Sequence, residues 1–149
     1  MQGSRVILTI TFVIFTFDGL AQQTDTLLTR SLLRRFNDAW NREDISKMVS
    51  LMDSTVFFKS PFQIRYGIDT VAATVLITNP PRFKFSSAIE QYSHVENDLA
   101  WSIGIFSLDI YDSGTKTSAD PNKGEYIYVF RNRSGDWKLQ MIIFHKKDN

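Results

Sequence analysis

The alternation of apolar and polar residues is most regular near the end of the chain. Two runs rich in Tyr, Ile, Val, Phe and Trp flank the turn cluster at residues 132–136 (NRSGD), which supplies glycine where a hairpin needs a positive φ. Simple alternation gives the second arm two partly apolar faces. One face would carry Trp137, Leu139, Met141, Ile143 and His145, and the other would carry Lys138, Gln140, Ile142, Phe144 and Lys146. The pattern predicts a long β-hairpin whose second arm lies centrally in a sheet.

Helical spacing dominates the first half of the chain. An amphipathic helix is predicted from residue 25 or 26 to residue 41 by the spacing of Leu28, Leu32, Leu33, Phe36, Ala39 and Trp40. Asp44 can cap a short second helix, whose predicted buried residues are Ile45, Met48, Val49 and Met52. A third helix is predicted from the spacing of Ile68, Val71, Ala72, Val75 and Leu76, and the prolines at 80 and 81 end it.

Strands account for the remaining pattern. A short strand is predicted at residues 55–58, followed by a loop at 60–67. The period changes to two after Arg82, which predicts a long strand to about residue 95, with Phe83, Phe85, Ser87 and Ile89 on one face. Residues 99–111 form the next strand, with Gly104 as a bulge or bend, and residues 112–123 form a polar loop. The predicted order is helix, helix, strand, helix and four antiparallel strands, in one domain.

Residues 1–21 differ from the rest of the chain. Arg5 precedes the apolar run at 6–17, and small residues precede Gln22, as in a signal peptide cleaved after Ala21. The alternative is a membrane anchor, but an apolar helix of that length spans about 18 Å, short of a bilayer core of about 30 Å. Without cysteine, the chain has neither a lipid-anchor site nor disulfides. We therefore expect a periplasmic or secreted domain at residues 22–149, without a membrane segment after signal removal.

Charge and motif content exclude several classes of function. The chain has 17 Lys and Arg against 16 Asp and Glu, a net charge of +1, so it lacks the basic surface that nucleic-acid binding requires. Its two histidines, His94 and His145, have no ligand spacing with paired carboxylates, and no glycine-rich phosphate loop is present. The sequence predicts no metal centre, no cofactor and no nucleic-acid partner.

Four segments carry a resemblance to a known family. They are residues 36–44 (FNDAWNRED), 66–71 (YGIDTV), 124–131 (GEYIYVFR) and 135–139 (GDWKL). In this order they resemble the nuclear transport factor 2-like superfamily, especially its small SnoaL-like and ketosteroid-isomerase-like bacterial domains. The resemblance implies an α+β fold of the cystatin-like cone type. Three N-terminal helices pack on a strongly curved, mostly antiparallel sheet whose open end holds a pocket.

The same resemblance leaves the function open, because the family includes isomerases, cyclases, dehydratases and non-enzymatic binding or dimerisation modules. Its enzymes place an Asp or His on the inner wall of the cone. Several relatives have a His six residues after the Trp of the last strand, where this chain has Ile143. This departure weakens the case for acid and base chemistry inside the cone.

One hypothesis is an isomerase or dehydratase. Asp109 would be the general base, and Tyr128 or Tyr126 would donate a hydrogen bond to a developing oxyanion. Alternation places Asp109 on the same face as Trp101 and Ile105, where a buried carboxyl group could act as a base. The alternative is that Asp109 is solvated near the strand end.

A second hypothesis is binding of a small apolar or amphipathic molecule without turnover. The predicted pocket residues are Trp40, Tyr66, Trp101, Tyr126 and Met141. A packing role remains open for the two tryptophans and for Met141. A third hypothesis is a homodimer formed by the outer face of the sheet, because the helices can cover only one face.

Overall fold

Three helices lie in the first half of the chain. The computed structural model describes residues 26–117 and 122–147, and the predicted signal peptide lies outside these ranges. Helix α1 covers residues 26–41, α2 is Ile45–Leu51 and α3 is Ile68–Val71, continued by a π-helical turn at Ala72–Leu76. The Asp44 side chain accepts a hydrogen bond from the Lys47 amide, which confirms the predicted cap. No helix within the described ranges is long and apolar enough to cross a membrane.

The strands form one seven-stranded sheet. They are β1 (Met52–Ser60), β2 (Gln63–Tyr66), β3 (Phe83–Glu96), β4 (Leu99–Asp112), β5 (Thr115–Lys116), β6 (Asn122–Arg133) and β7 (Asp136–Lys146). The order is β2-β1-β7-β6-β4-β3, and β5 pairs only with the end of β4. All neighbours are antiparallel except β1 and β7, which are parallel. The interior position predicted for the second arm of the last hairpin, β7, is confirmed.

Three segments differ from the sequence prediction, one of them the predicted polar loop at 112–123, which contains β5 and the first residues of β6. The loop predicted at 60–67 contains β2, because a two-residue turn at Pro61 and Phe62 lets Ser60 pair with Gln63. Strand β1 begins earlier than predicted, so Met52 belongs to this strand and not to the second helix. Short edge strands such as β2 give weak sequence signals because their side chains are largely exposed.

Bulges in β3 and β7 break the simple alternation, and the pairing of β1 with β7 shifts its register between Met52 and Phe57. Ser86 and Gln91 are extra residues in β3, because Phe85 pairs with Leu108 while Ser87 pairs with Ser107, and a similar shift separates Glu90 from Tyr92. Gln140 is the extra residue in β7. The predicted irregularity at Gly104 therefore falls on the neighbouring strand.

These bulges reassign side chains to opposite faces of the sheet. Leu139, predicted to share a face with Met141, lies instead on the buried face with Ile142. Ile89, predicted to share a face with Phe85, is 55% exposed on the other side. One extra residue moves every later side chain to the other face, because the side-chain period of a strand is two.

We call the two sides of the sheet the inner and outer faces. The inner face is defined on β4 by Ala100, Ser102, Gly104, Phe106, Leu108 and Ile110, and the outer face by Trp101, Ile103, Ile105, Ser107 and Asp109. The helices cover the inner face. The core there contains, among others, Leu33, Phe36, Trp40, Met48, Val71, Val75, Leu76, Val56, Phe58, Phe106, Tyr126, Tyr128, Leu139 and Ile142.

The last residues of α1 attach the helix to β3, the edge strand. The indole N–H of Trp40 donates to the carbonyl oxygen of Phe83 at 2.7 Å. The Asn41 side chain pairs with both backbone groups of Phe85: its oxygen accepts from the N–H at 2.8 Å and its nitrogen donates to the carbonyl at 2.9 Å. The side chain thereby satisfies backbone groups that an edge strand leaves without a partner.

The last hairpin is tied to the start of β1. Its turn residues Ser134 and Gly135 both have positive φ, as a two-residue turn of type I′ requires. Beside the turn, Arg133 pairs with the carboxylate of Asp53, with Nε and Oδ2 2.9 Å apart. The backbone N–H of Thr55 lowers the pKa of Asp53 by hydrogen bonding, assisted by the Thr55 hydroxyl and Arg133, although burial acts in the opposite direction.

The attachment at Asn41 can be tested by substitution. We expect Asn41→Leu to lower the free energy of unfolding by about 1–3 kcal/mol, because both backbone groups of Phe85 lose a partly buried hydrogen bond. Urea denaturation followed by circular dichroism measures the change. Ser31→Leu introduces the same residue at an exposed position of the same helix and should change the free energy by less than about 0.5 kcal/mol. Equal losses in the two variants would contradict the role of Asn41.

Candidate functional site

A pocket opens at the end of the inner face, where α1 stops. Its volume is about 540 Å³, within the range of about 300–1,000 Å³ that is typical of small-molecule sites. Its described lining comprises Trp40, Phe58, Ser60, Pro61, Phe62, Gln63, Asn79, Arg82, Phe83, Phe85, Phe106, Leu108, Ile110, Asn122, Lys123, Phe144 and Lys146. The wall is therefore largely aromatic and aliphatic, with polar groups among its lining residues.

The floor of the pocket is a cluster of phenylalanines centred on Phe144. Its ring centroid lies 6.0 Å from the ring centroid of Phe58, 5.9 Å from that of Phe85 and 5.2 Å from that of Phe106. The contacts with Phe58 and Phe106 are edge-to-face, a favourable geometry for aromatic pairs. The Phe106 ring lies against Gly124, its cross-strand partner, where any β-carbon would overlap the ring. Glycine at this position therefore makes room for the aromatic floor.

The rim of the pocket combines an exposed aromatic ring with positive charge. Phe62, in the turn between β1 and β2, is 85% exposed. Arg82 and Lys146 come from two separate segments. Lys123, the third cation among the lining residues, pairs with Ser107 and therefore belongs to the outer face. No Asp or Glu is among the described lining residues.

Of the five residues predicted to line a pocket, the structure places one there. Trp40 forms part of the wall. Tyr66, 69% exposed, lies with Trp101 and Met141 on the outer face, and Tyr126 is buried on the inner face under the helices. The five residues are therefore divided between two faces and do not form one site.

The two inner-face tyrosines have structural partners. The Tyr128 hydroxyl donates to Oδ1 of Asn37 at 3.2 Å, and the Tyr126 hydroxyl lies 3.5 Å from the Ser102 hydroxyl. Burial raises the pKa of Tyr126, and it raises the pKa of Tyr128 well above its usual value. Both phenols therefore remain protonated at neutral pH. Neither is among the described residues that line the pocket.

The structure does not bring Asp109 together with either tyrosine. Asp109 lies on the outer face, where its carboxylate is 2.9 Å from the Lys116 ammonium group. Tyr126 and Tyr128 point to the inner face, opposite Gly104 and Ser102. The geometry that the isomerase or dehydratase hypothesis requires, an Asp base and a Tyr donor in one cavity, is therefore not formed by these residues. The hypothesis assumed that β4 directs Asp109 inward, but its alternation directs this side chain outward.

Sequence reasoning missed a buried carboxylate, that of Glu90, whose side chain is only 3% exposed. One oxygen accepts a hydrogen bond from Ser102 at 2.8 Å, and the other lies 3.3 Å from the guanidinium of Arg30. Glu90 borders a shallow groove of about 380 Å³ between α1 and β3. The bulge at Ser86 hid this residue, since simple alternation places Glu90 on the opposite face.

Most of the aromatic floor was also missed, although a signal for it was present. Phe106, Leu108 and Ile110 occupy the alternate positions of β4, opposite in direction to Asp109. A strand with apolar residues at every second position predicts a buried face. Within the ranges that the structure describes, no three His, Asp or Glu side chains are placed to hold a metal ion.

The fold can be compared with known proteins. No protein-family model and no curated protein matches the sequence. A nuclear transport factor 2-like superfamily protein from Salmonella enterica superposes with a TM-score of 0.68 at 15% identity, over 87% of this chain and 95% of that one. An NTF2-like protein with a cystatin-like fold from Novosphingobium aromaticivorans superposes with a TM-score of 0.63 at 17% identity, over 93% of this chain and 90% of that one.

A third similar structure carries an enzyme name. A ketosteroid isomerase-like protein from Erwinia carotovora superposes with a TM-score of 0.66 at 16% identity, over 80% of this chain and 94% of that one. Identities this low establish a common fold and not a common activity. The three helices and the mostly antiparallel sheet agree with the architecture that the sequence predicted. This chain therefore has the nuclear transport factor 2-like fold, also described as cystatin-like.

Proposed function

We propose that the chain is an exported domain that binds a small apolar or amphipathic molecule in the pocket at the end of the inner face. The observation that carries this proposal is the open aromatic cavity around Phe144. Exposed apolar surface of this kind is costly in water, and a ligand would remove it from water. The cavity is large enough for a small ligand, because the side chains of the described residues do not fill it.

A second candidate function, self-association, is supported by the outer face. Its apolar side chains form a continuous surface across β3, β4, β6, β7, β1 and β2, comprising Ile89, Tyr92, Ile103, Ile105, Ile127, Val129, Met141, Ile143, Phe57, Ile64 and Tyr66. We propose a second copy of the chain as the occupant, since a face with an apolar centre is complementary to itself about a two-fold axis. The pocket lies on the other side of the sheet, so the two functions are compatible.

The binding proposal predicts a pocket-specific response to one substitution. Leu108→Trp should lower the affinity for dodecanol, dodecanoate or dodecylamine by tenfold or more, because the indole fills volume that the alkyl chain would occupy. Isothermal titration calorimetry measures the affinities. Ile105→Trp adds the same side chain on the outer face of the same strand and should leave the affinities for the three probes unchanged. The proposal fails if no probe binds, or if Leu108→Trp binds as tightly as the native chain.

The association proposal predicts a charge-sensitive dimer. Ile103 is 37% exposed at the centre of the outer face, so Ile103→Lys should convert a dimer to a monomer by burying an unpaired ammonium group. Sedimentation equilibrium measures the mass. Ser31→Lys places the same charge on the exposed side of α1 and should leave the dimer intact. A native chain that is monomeric at high micromolar concentration would overturn this proposal.

Export predicts a defined N-terminus. The mature protein isolated from its native host should begin at Gln22, because the sequence before it has the charge, apolar run and small residues of a cleaved signal. Intact-mass measurement together with cell fractionation tests this. A cytoplasmic product that begins at Met1 would contradict both the cleavage site and the periplasmic or secreted localisation.

A further inference from the structure

Two cations at the pocket rim, Arg82 and Lys146, differ from several cations of the sheet that pair with carboxylates. Lys84, Lys116 and Lys138 each pair with a carboxylate at 2.6–2.9 Å. Within the described residues, Arg82 and Lys146 have no carboxylate within 4 Å. The lining residues that the structure describes include no acidic side chain either. Among the residues that the structure describes, the positive charge at the mouth of this apolar cavity therefore has no carboxylate partner.

The two cations are also placed against the apolar wall. The guanidinium carbon of Arg82 lies 5.8 Å from the ring centroid of Phe83, which lines the pocket. Lys146 follows Phe144 by two residues on β7, so both belong to the inner face. Around them the lining residues Asn79, Asn122 and Gln63 carry hydrogen-bond donors. The site thus combines an aromatic floor with a cationic, donor-rich rim.

We propose that the ligand of this pocket is an anionic amphiphile. Its apolar body packs on the Phe144 cluster and its anionic head group lies at Arg82 and Lys146. This inference rests on the proposed binding function and adds the charge of the ligand to it. A carboxylate, sulfonate or phosphate monoester at the end of an alkyl or aromatic body has the required chemistry. A small inorganic anion would leave the aromatic floor exposed, and a cationic amphiphile would be repelled at the rim.

The test compares amphiphiles that share one alkyl chain and differ only in head group. At neutral pH, dodecanoate is ionised, dodecanol is uncharged and dodecylamine is cationic. We expect dodecanoate to bind about tenfold more tightly than dodecanol, because one exposed ion pair raises the affinity by about two- to fivefold and the head group contacts two cations. Dodecylamine should bind more weakly than either. Raising the ionic strength should weaken binding of dodecanoate and leave dodecanol unaffected.

The double variant Arg82→Gln, Lys146→Gln should bind dodecanoate and dodecanol with nearly equal affinity while retaining the dodecanol affinity of the native chain. The matched control is Arg35→Gln, Lys47→Gln, which removes the same charge at exposed positions of the helices. It should keep the preference for dodecanoate. Circular dichroism verifies that both variants are folded.

The outcomes separate this inference from the binding proposal. If dodecanol and dodecanoate bind equally to the native chain and Leu108→Trp removes both, the pocket binds ligands but the anionic inference is wrong. If the double variant keeps the preference for dodecanoate, Arg82 and Lys146 do not hold the head group, and the inference is also wrong. If no probe binds, the binding proposal itself fails and the inference fails with it.

Discussion

The attachment of α1 to the edge strand β3 determines where the inner face is covered and where it is not. Trp40 and Asn41 fasten the end of the helix to the backbone of Phe83 and Phe85. The described part of α1, residues 26–41, is about 24 Å long, whereas the 14 residues of β4 extend over about 46 Å. The described part of the helix therefore covers only part of the length of the strands. The uncovered part of the inner face forms the pocket. Trp40 both attaches α1 to β3 and lines the pocket.

Strand β4 contributes to both sides of the sheet. Its inner residues Phe106 and Leu108 line the pocket, while its outer residues Ile103 and Ile105 contribute to the exposed apolar surface. Side chains that are neighbours in sequence therefore belong to different surfaces, separated by the thickness of one sheet. This arrangement allows a ligand and a partner copy to be bound at the same time. It also explains why Asp109 does not reach the buried tyrosines.

The polar groups inside the inner face serve the packing of the fold. Tyr128 donates to Asn37, and Glu90 is held by Ser102 and Arg30, so α1 is joined to the sheet by hydrogen bonds and an ion pair. Such groups are costly to bury unless they find partners. The Tyr128 hydroxyl and one oxygen of Glu90 have hydrogen bonds, whereas the other oxygen of Glu90 has no hydrogen bond from the described residues and lies 3.3 Å from Arg30. The buried phenols and the buried acid therefore contribute to packing, and none of the three is among the described residues that line the pocket. Fold and chemistry are separate properties in this molecule.

The sequence by itself determined the helices, the last hairpin and the order of the main elements, but not the short strands β2 and β5. These depend on local periodicity, on caps such as Asp44 and on turn residues such as Gly135, all of which act within a few residues. Only the tertiary structure decided which residues line the pocket. The bulges at Ser86, Gln91 and Gln140 each insert one residue, so side chains before and after a bulge do not keep the faces that simple alternation gives them. Alternation counted along the chain therefore grouped Ile89 with Phe85 and Leu139 with Met141, although each pair is divided between the two faces. Bulges of this kind arise from the curvature that the sheet needs to wrap around the helices, and that curvature is a property of the whole packed molecule.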